Sequence, residues 1–341
     1  MANRNVLAIG ASAGGIDALL HLARNFAPDF PASVLVTLHL SAHFRSAIDT
    51  ILGGAGQLKA KFASDGERVQ HATIYLAPPD RHLLIDGDQL WLGSGPRENN
   101  SRPAIDPMLR SVAACCGSRS VGVVLTGTLG DGASGLWSVA ECGGCTVVQD
   151  PKDAAFSDMP VNALARVKPD HVLPLAEMPA VLDRLARRSA GTPAPVPPRL
   201  SMELKVARGA HLPIHEMDRI GRRSAFTCPD CHGAMWEINE GDVAHYRCHV
   251  GHAYTAELMS LALDEGLRRA LGTALRTLED RAALAGKLQR DAEARRQPYM
   301  AASWAEKAAE FQQERSVVEC AIQRMDEIAA LHTHSGGAKN I

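Results

Sequence analysis

Four runs of branched apolar residues, "NVLAIG", "ASVLVTLHL", "SVGVVLTG" and "GGCTVVQD", constrain the first 187 residues more than any other feature. Each is short and nearly continuous in apolar character, which suits a strand covered on both faces. Between them lie segments with apolar residues at helical spacing, including "GGIDALLHLARNF" and "ASGLWSVAECG". Strand and helix in alternation predict a doubly wound α/β domain with a mostly parallel sheet. "ATIYLAPPDRHLLIDGDQLWLG" departs from that pattern. Its Pro-Asp and Asp-Gly turns predict an antiparallel hairpin added to the sheet.

Beyond residue 187 the composition changes. Pro193, Pro195, Pro197 and Pro198 cannot continue a helix or a central strand, so residues 188–224 read as an extended linker. A compact Cys/His segment follows at 225–255. From 256 to 332 the chain is rich in Ala, Leu, Glu and Arg. Leu267, Leu271, Ala274, Leu278 and Ala282 recur at helical spacing, as do Phe311, Val318, Ile322, Met325 and Ala329. Pro298 marks the turn of a helical hairpin, and residues 333–341 read as a frayed tail. Such a hairpin can pack on itself or on the sheet domain, or serve a homodimer or a signalling partner.

Charge narrows the function classes. With 36 Lys and Arg against 38 Asp and Glu, the net charge is −2. No cationic surplus exists to neutralise nucleic-acid phosphates. No apolar run reaches the roughly 18 residues of a membrane span, and the N-terminal residues lack a secretory pattern. The expectation is a cytoplasmic protein that binds no nucleic acid and inserts in no membrane.

"VLAIGASAGGIDALL", residues 6–20, is a strand, a turn of small residues and the start of a helix. Such a turn can seat a pyrophosphate on the helix N-terminus, or hold up Ser12 as a nucleophile. A dinucleotide site wants an acidic residue at the end of the next strand, and here that strand ends in His39. The α/β part also lacks a Tyr-x-x-x-Lys pair. No cofactor is expected for the chemistry.

A serine hydroxyl needs a base to take its proton, and that base needs a third group to orient it. In doubly wound sheets sites gather at the carboxyl ends of strands. Ser12, His39 and Asp131, the last in "VVLTGTLGDGASGL", all fall there. Singly they have plain explanations: Ser12 a helix cap, His39 a core histidine, Asp131-Gly132 a turn. Together they predict nucleophilic catalysis.

"IGASAGGIDAL", "LHLSAHF", "IYLAPPDRHL", "SRPAIDPMLRSVA", "VVLTGTLGDGASGL" and "VVQDPKDAAFSDMPVNAL" resemble, in order and spacing, the catalytic domain of CheB-type protein-glutamate methylesterases. The resemblance covers about residues 4–187, taken as a catalytic domain over 1–187. It implies the CheB catalytic-domain fold and a Ser-His-Asp triad at Ser12, His39 and Asp131. It also implies hydrolysis of glutamyl methyl esters on chemotaxis receptors or another methylated protein, and in some members deamidation of glutamine. The backbone amide of Ala13, at a helix N-terminus, is the expected oxyanion donor. The family loop T-G-M-G-x-D-G supplies a second donor from its Met, and Thr128 stands there. Family members commonly carry an N-terminal phospho-receiver domain. Here the matching blocks begin at residue 4, so control is expected from the C-terminal half or from a partner. Two alternatives remain open: a non-catalytic adaptor that binds a partner through the Cys/His and helical part, and an esterase or amidase with a substrate outside chemotaxis. His43, His71 and His82 receive no role, and Arg102 is a candidate contact for a substrate carboxylate or amide.

In the Cys/His segment, Cys228-x2-Cys231 and Cys248-x3-His252 are separated by 16 residues. Two such pairs suit a structural, tetrahedral Zn²⁺ in a ribbon-like fold, with Trp236, Ile238 and Tyr246 as a miniature core. His249 is the rival fourth ligand. Cys142-Gly-Gly-Cys145 has similar spacing and reads as a glycine turn with incidental thiols. Cys115 and Cys116 read as core, and Cys320 as part of the helical tail.

Overall fold

The computed structural model describes residues 3–39, 47–241 and 243–336. Seven parallel strands form the main sheet. In chain order they are β1 (Val6–Ala11), β2 (Ser33–Leu38), β3 (Lys59–Phe62), β4 (Thr73–Leu76), β7 (Ser120–Val124), β8 (Cys145–Gln149) and β9 (His171–Leu173). Their spatial order is β3-β4-β2-β1-β7-β8-β9. From β1 the chain adds β2, passes to the edge strand β3 and inserts β4 between the two. It then returns to β1 and builds β7, β8 and β9 outward on the other side. The reversal falls between β1 and β7, where a crevice opens at the carboxyl ends of the strands.

Period-two alternation splits the core in two. Leu7, Ile9 and Ala11 of β1 face α1 (Gly15–Asn25), α2 (Ile48–Ala55) and α6 (Met178–Arg187), against Leu19, Leu22, Leu52 and Leu182. Val6 and Ala8 face α3 (Ile105–Cys116), α4 (Ala133–Glu141) and α5 (Asp158–Arg166), against Met108, Leu109, Leu136 and Met159. The hairpin β5 (His82–Asp86) and β6 (Gln89–Gly93) closes this second layer.

Two expectations about this half need correction. Thr73–Leu76 belongs to the parallel sheet, between β3 and β2, and only β5 and β6 form an antiparallel pair, in a sheet of their own. Pro78 and Pro79 end the first strand by removing amide donors, and the chain leaves the sheet there. The short edge strands β3 and β9 carried no apolar run to announce them.

The linker is shorter than expected. Helices α7 (Pro198–Arg208) and α8 (Ile214–Ile220) occupy most of its second half. Proline at the first helical turn is pre-set for α7, since its missing amide would be unpaired there anyway. Leu200 packs into the sheet domain, while Val206, Met217 and Ile220 form a small cluster with Trp236 and Ile238. The ribbon comprises β10 (Arg222–Thr227), β11 (Ala234–Glu240), β12 (Val243–Cys248) and β13 (Ala253–Thr255), all antiparallel. Trp236 and Ile238 therefore pack on α7 and α8 rather than forming a private ribbon core.

Residues through Met259 form one compact unit and those from Ser260 a second. In the second, α9 (Ala256–Ala294) and α10 (Pro298–Gly336) pair with each other antiparallel, Arg268 with Asp326 and Arg315 with Glu279, and Pro298 opens α10. The helix runs to Gly336, beyond the expected start of the tail, and residues 337–341 lie outside the described residues. Among the described residues no helix is long and apolar enough to cross a membrane.

Candidate active site

Ser12 follows β1 directly, and Gly14 turns the chain into α1 with φ 73°, a conformation that favours glycine. The Ser12 amide donates to Thr126 O at 3.0 Å, and Thr126 Oγ1 donates to Ala13 O at 3.0 Å. These bonds bind the loop after β1 to the loop after β7. The approach requires glycine at 127, where a Cβ would lie 2.1 Å from Met159 Sδ and 2.8 Å from Ser12 Cβ.

At this rim the three predicted side chains meet. Ser12 Oγ lies 3.0 Å from His39 Nδ1, and His39 Nε2 lies 2.7 Å from Asp131 Oδ2. His39 stands one residue beyond β2, with its side chain 21% exposed, while that of Asp131 is 2% exposed. The imidazole can thus receive a proton on one nitrogen while the carboxylate holds the other.

Asp131 is saturated with donors. Oδ2 accepts from Ile105 N at 2.6 Å, and Oδ1 from Asp106 N at 3.1 Å, Gly132 N at 3.0 Å and Asn99 Nδ2 at 2.9 Å. Two of these amides open α3, where the helix dipole also favours an anion. Burial pushes the Asp131 carboxyl up, but His39 and these donors outweigh it and hold it below the usual carboxylate value. Its neighbour Asp106 is pushed up to about 7, first by burial and then by the Asp131 charge. Two adjacent buried carboxyls thereby separate into one held as a carboxylate and one that takes a proton readily.

A cleft of about 340 Å³ lies over Ser12, lined by Ala13, Ile16, Leu38 and His39 among others. The amides of Ala13 and Thr128 make no hydrogen bond to any described residue. Next to exposed Thr128, Leu129 takes φ 66°, rare for a branched side chain. It is pinned by its amide to Asp158 Oδ2 at 3.3 Å and by Asn162 Nδ2 to its carbonyl at 2.8 Å.

The other sequence candidates fall elsewhere. Arg102 does meet a carboxylate, but an internal one: Nε and Nη2 donate to Asp80 Oδ1 at 2.9 and 2.7 Å. His82 is buried, between the Ala104 amide and Pro96 O, and His71 is exposed. His43 lies outside the described residues. Cys116, Cys142 and Cys145 are buried, Cys115 is half-buried, and Cys320 is exposed on α10.

Two features escaped the sequence. One is Asn99, whose amide bridges Asp131 and Asp106. The other is a buried ionic network joining α3, α7 and the ribbon. Arg110 donates to Glu98 at 2.6 Å and faces Glu203 at 3.3 Å, while Arg247 donates to Glu98 at 3.0 Å. His245 sits between Glu203 at 3.1 Å and Glu240 at 3.2 Å, and Arg166 donates to Glu240 at 2.6 Å. Scattered charges in a sequence look like a solvated surface, so nothing local could announce this network. Glu203, Glu240 and His245 are close enough to hold a metal, but four arginines (Arg110, Arg166, Arg199 and Arg247) already claim the same carboxylates and would repel a cation.

Among the described residues the remaining ligand-type cluster is Cys228, Cys231, Cys248 and His252. Cys231 Sγ and Cys248 Sγ are 3.6 Å apart, and His252 Nδ1 lies 3.6 Å from Cys228 Sγ and 3.5 Å from Cys248 Sγ. A tetrahedron with Zn–S of about 2.3 Å and Zn–N of about 2.0–2.1 Å has S···S edges of ~3.8 Å and S···N edges of ~3.6 Å. The four side chains fit that ion. His249 is outside the cluster.

A serine hydroxyl, an imidazole and a carboxylate hydrogen-bonded in sequence at the switch point of a parallel sheet define the class: an α/β protein whose rim has the geometry of a serine hydrolase. The match is specific, for the CheB methylesterase family model covers residues 7–182, and the chain belongs to that family. It is 35% identical over 192 residues to "Protein-glutamate methylesterase/protein-glutamine glutaminase 2" of Methanosarcina mazei, covering 54% of this chain and 52% of the relative. To "Protein-glutamate methylesterase/protein-glutamine glutaminase" of Pectobacterium atrosepticum it is 35% identical over 195 residues, covering 56% and 55%. The chain thus spans about half the length of these relatives. The crystal structure of the Thermotoga maritima CheB methylesterase catalytic domain matches 54% of this chain and all of its own, with a TM-score of 0.52 and 30% identity.

Proposed function

We propose that the protein hydrolyses glutamyl methyl esters on a methylated receptor of the chemotaxis type. The unbroken path Ser12–His39–Asp131 supports this reading above all. His39 Nδ1 takes the Ser12 proton as Oγ attacks the ester carbonyl. Asp131 accepts a hydrogen bond from His39 Nε2–H, fixing the tautomer and stabilising the imidazolium while remaining a carboxylate. The amides of Ala13 and Thr128 receive the oxyanion. A backbone donor survives a change of side chain, so Thr128 can serve where the family has Met. Methanol leaves with the proton from His39. Water, deprotonated by His39, then opens the acyl-enzyme to release glutamate. With a glutamine side chain the same steps expel ammonia, the deamidation named for the relatives.

Methanol release from methylated receptor membranes tests the substrate. A fluorophosphonate probe tests the nucleophile, since it should label the protein and spare Ser12→Ala. No labelling of the wild type would favour the adaptor alternative. Labelling without methanol release would favour an ester or amide outside chemotaxis.

The Cys228, Cys231, Cys248 and His252 set is assigned to one structural Zn²⁺. Four protein ligands leave no open position for chemistry, and the ion would supply folding energy to the ribbon. Elemental analysis should return one zinc per chain, lost in Cys231→Ser.

A further inference from the structure

Asn99 contributes no reacting atom, yet all of its side-chain hydrogen-bonding capacity except one acceptor site is spent between the triad and the ribbon. Its two Nδ2 protons go to two carboxylates, Asp131 Oδ1 at 2.9 Å and Asp106 Oδ2 at 2.8 Å. Its Oδ1 accepts from Thr255 N at 3.3 Å, and its own amide donates to Ala253 O at 2.8 Å. Both partners belong to β13.

The backbone around it is equally committed. Asn99 and Asn100 take φ 51° and 61°, inside a turn closed by Glu98 N to Ser101 O and Ser101 N to Glu98 O. Asparagine tolerates that left-handed conformation better than other side chains. Glu98 is clamped by Arg110 from α3 and by Arg247 from β12. On the ribbon side, β13 follows His252 immediately. Tyr254 OH donates to Asp230 Oδ2 at 2.6 Å, inside the Cys228–Cys231 knuckle. Arg247 Nη1 donates to Gly251 O at 2.9 Å, and Cys248 N donates to His252 O at 2.9 Å. The β13 backbone, joined to His252 by a peptide bond and to Asn99 by two hydrogen bonds, therefore connects the four-ligand cluster with the triad carboxylate.

Within the esterase reading, we propose that Asn99 is a positioning residue for Asp131, held in place by the ribbon, so that turnover depends on a segment contributing no reacting group. Without the Asn99 amide, the Asp131 and Asp106 carboxylates would lose the one side-chain donor they share. The triad carboxylate, left with its three backbone donors, would be held less tightly in line with His39 and would hold a proton more readily. His39 from the end of β2 and Asp106 from α3 face Asp131 directly. Beyond them lie His82 of β5, Arg110 of α3 and Glu98, whose charges also bear on this pair.

The test uses the full chain and the rate of fluorophosphonate labelling of Ser12 across pH. Asn99→Gly keeps the left-handed backbone and deletes the amide; Asn99→Asp keeps the shape and replaces a donor with a third acid. Labelling at pH 7 should fall about 10²-fold in Asn99→Gly, the scale of a misplaced catalytic group. The acid limb of the profile should move upward in the order wild type, Asn99→Gly, Asn99→Asp, a signature that general loosening would not produce. Hydrogen exchange of residues 97–101 reads the ribbon's part, and should quicken in Cys231→Ser together with slower labelling. A wild-type chain that never reacts overturns the esterase reading and this inference with it. A reactive wild type beside an Asn99→Gly chain with the same rate and profile overturns this inference alone. Faster exchange in Cys231→Ser at an unchanged labelling rate overturns the ribbon's role.

Discussion

Leu22 and Arg110 are equally hidden from solvent, at 1% and 2% exposure, in very different surroundings. Leu22 lies between α1 and the sheet among Leu7, Ile9 and Leu19, where apolar burial contributes about 1.5–3 kcal/mol per side chain. Arg110 lies where α3 meets α7 and the ribbon, among Glu98, Glu203 and Ser134. Burial there works against the charges and is offset only because each ion has partners. The first region tolerates apolar side chains of similar volume, whereas the second tolerates only one docking register. The contrast teaches that the sheet domain is built by transfer from water. The ribbon is attached by matching of charge, beside the loop that carries Asn99 to the triad.

The largest effect belongs to the rim. Ser12→Ala should lower ester hydrolysis by about 10⁴-fold or more while circular dichroism stays unchanged, since Oγ packs nothing. A smaller loss would mean another nucleophile.

Truncation comes next. A chain ending at Met259 keeps every ionic partner and should label with the probe at close to the wild-type rate. A chain ending at residue 190 strands Arg110 and Glu98 without Glu203 and Arg247, and should lose soluble expression. Equal behaviour of the two would show the ribbon to be a passive appendage. Light scattering of the full chain against the Met259 truncation also tests whether the helical hairpin makes a dimer.

Within the network, Arg247→Leu leaves two buried carboxylates short of a partner and should destabilise by about 3–5 kcal/mol in denaturant titration. Leu22→Ala should lose a similar amount, about 2–5 kcal/mol. The regions part in a double-mutant cycle: Glu98→Gln with Arg247→Met should couple by about 1–3 kcal/mol. Additivity there would deny the network any specificity.

The smallest effect is that of pH. Burial opposes the charged forms in the network, but His245 holds Glu240 down at about 2, and Glu240 and Glu203 raise His245. Glu240 stabilises fully above its ordinary 4.5 and loses that stabilisation as pH falls toward about 2. His245 stabilises fully below its ordinary 6.5 and loses it as pH climbs through the raised value. Both contributions are complete between 4.5 and 6.5. The melting temperature should decline on the alkaline side by about 2–4 °C per kcal/mol lost, and His245→Gln should flatten that decline.

Much of the active rim was legible without coordinates. Branched runs reveal parallel strands, small residues after β1 reveal a tight turn, and strand ends are where polar side chains converge. Ser12, His39 and Asp131 were each placed by that logic, and their 3.0 and 2.7 Å contacts follow from neighbouring strands in one sheet. The hairpin was half-read, because the period of a short apolar run does not say which neighbour it will join. Asn99 and the ionic residues were invisible. Glu98, Arg110, Glu203 and Arg247 are spread over 149 positions, and a charge carries no periodic mark of burial.

The amino-acid order by itself determined the alternating strands and helices, the strand-end places of Ser12, His39 and Asp131 and the Cys/His spacing, because each rests on local geometry or short repeats. The tertiary structure alone decided that α7 and the ribbon dock beside Asp131 and that Asn99 bridges two acids. Those outcomes depend on pairings between distant segments. Electrostatic complementarity has no sequence period, and becomes visible only when folding brings the charges within a few ångströms of one another.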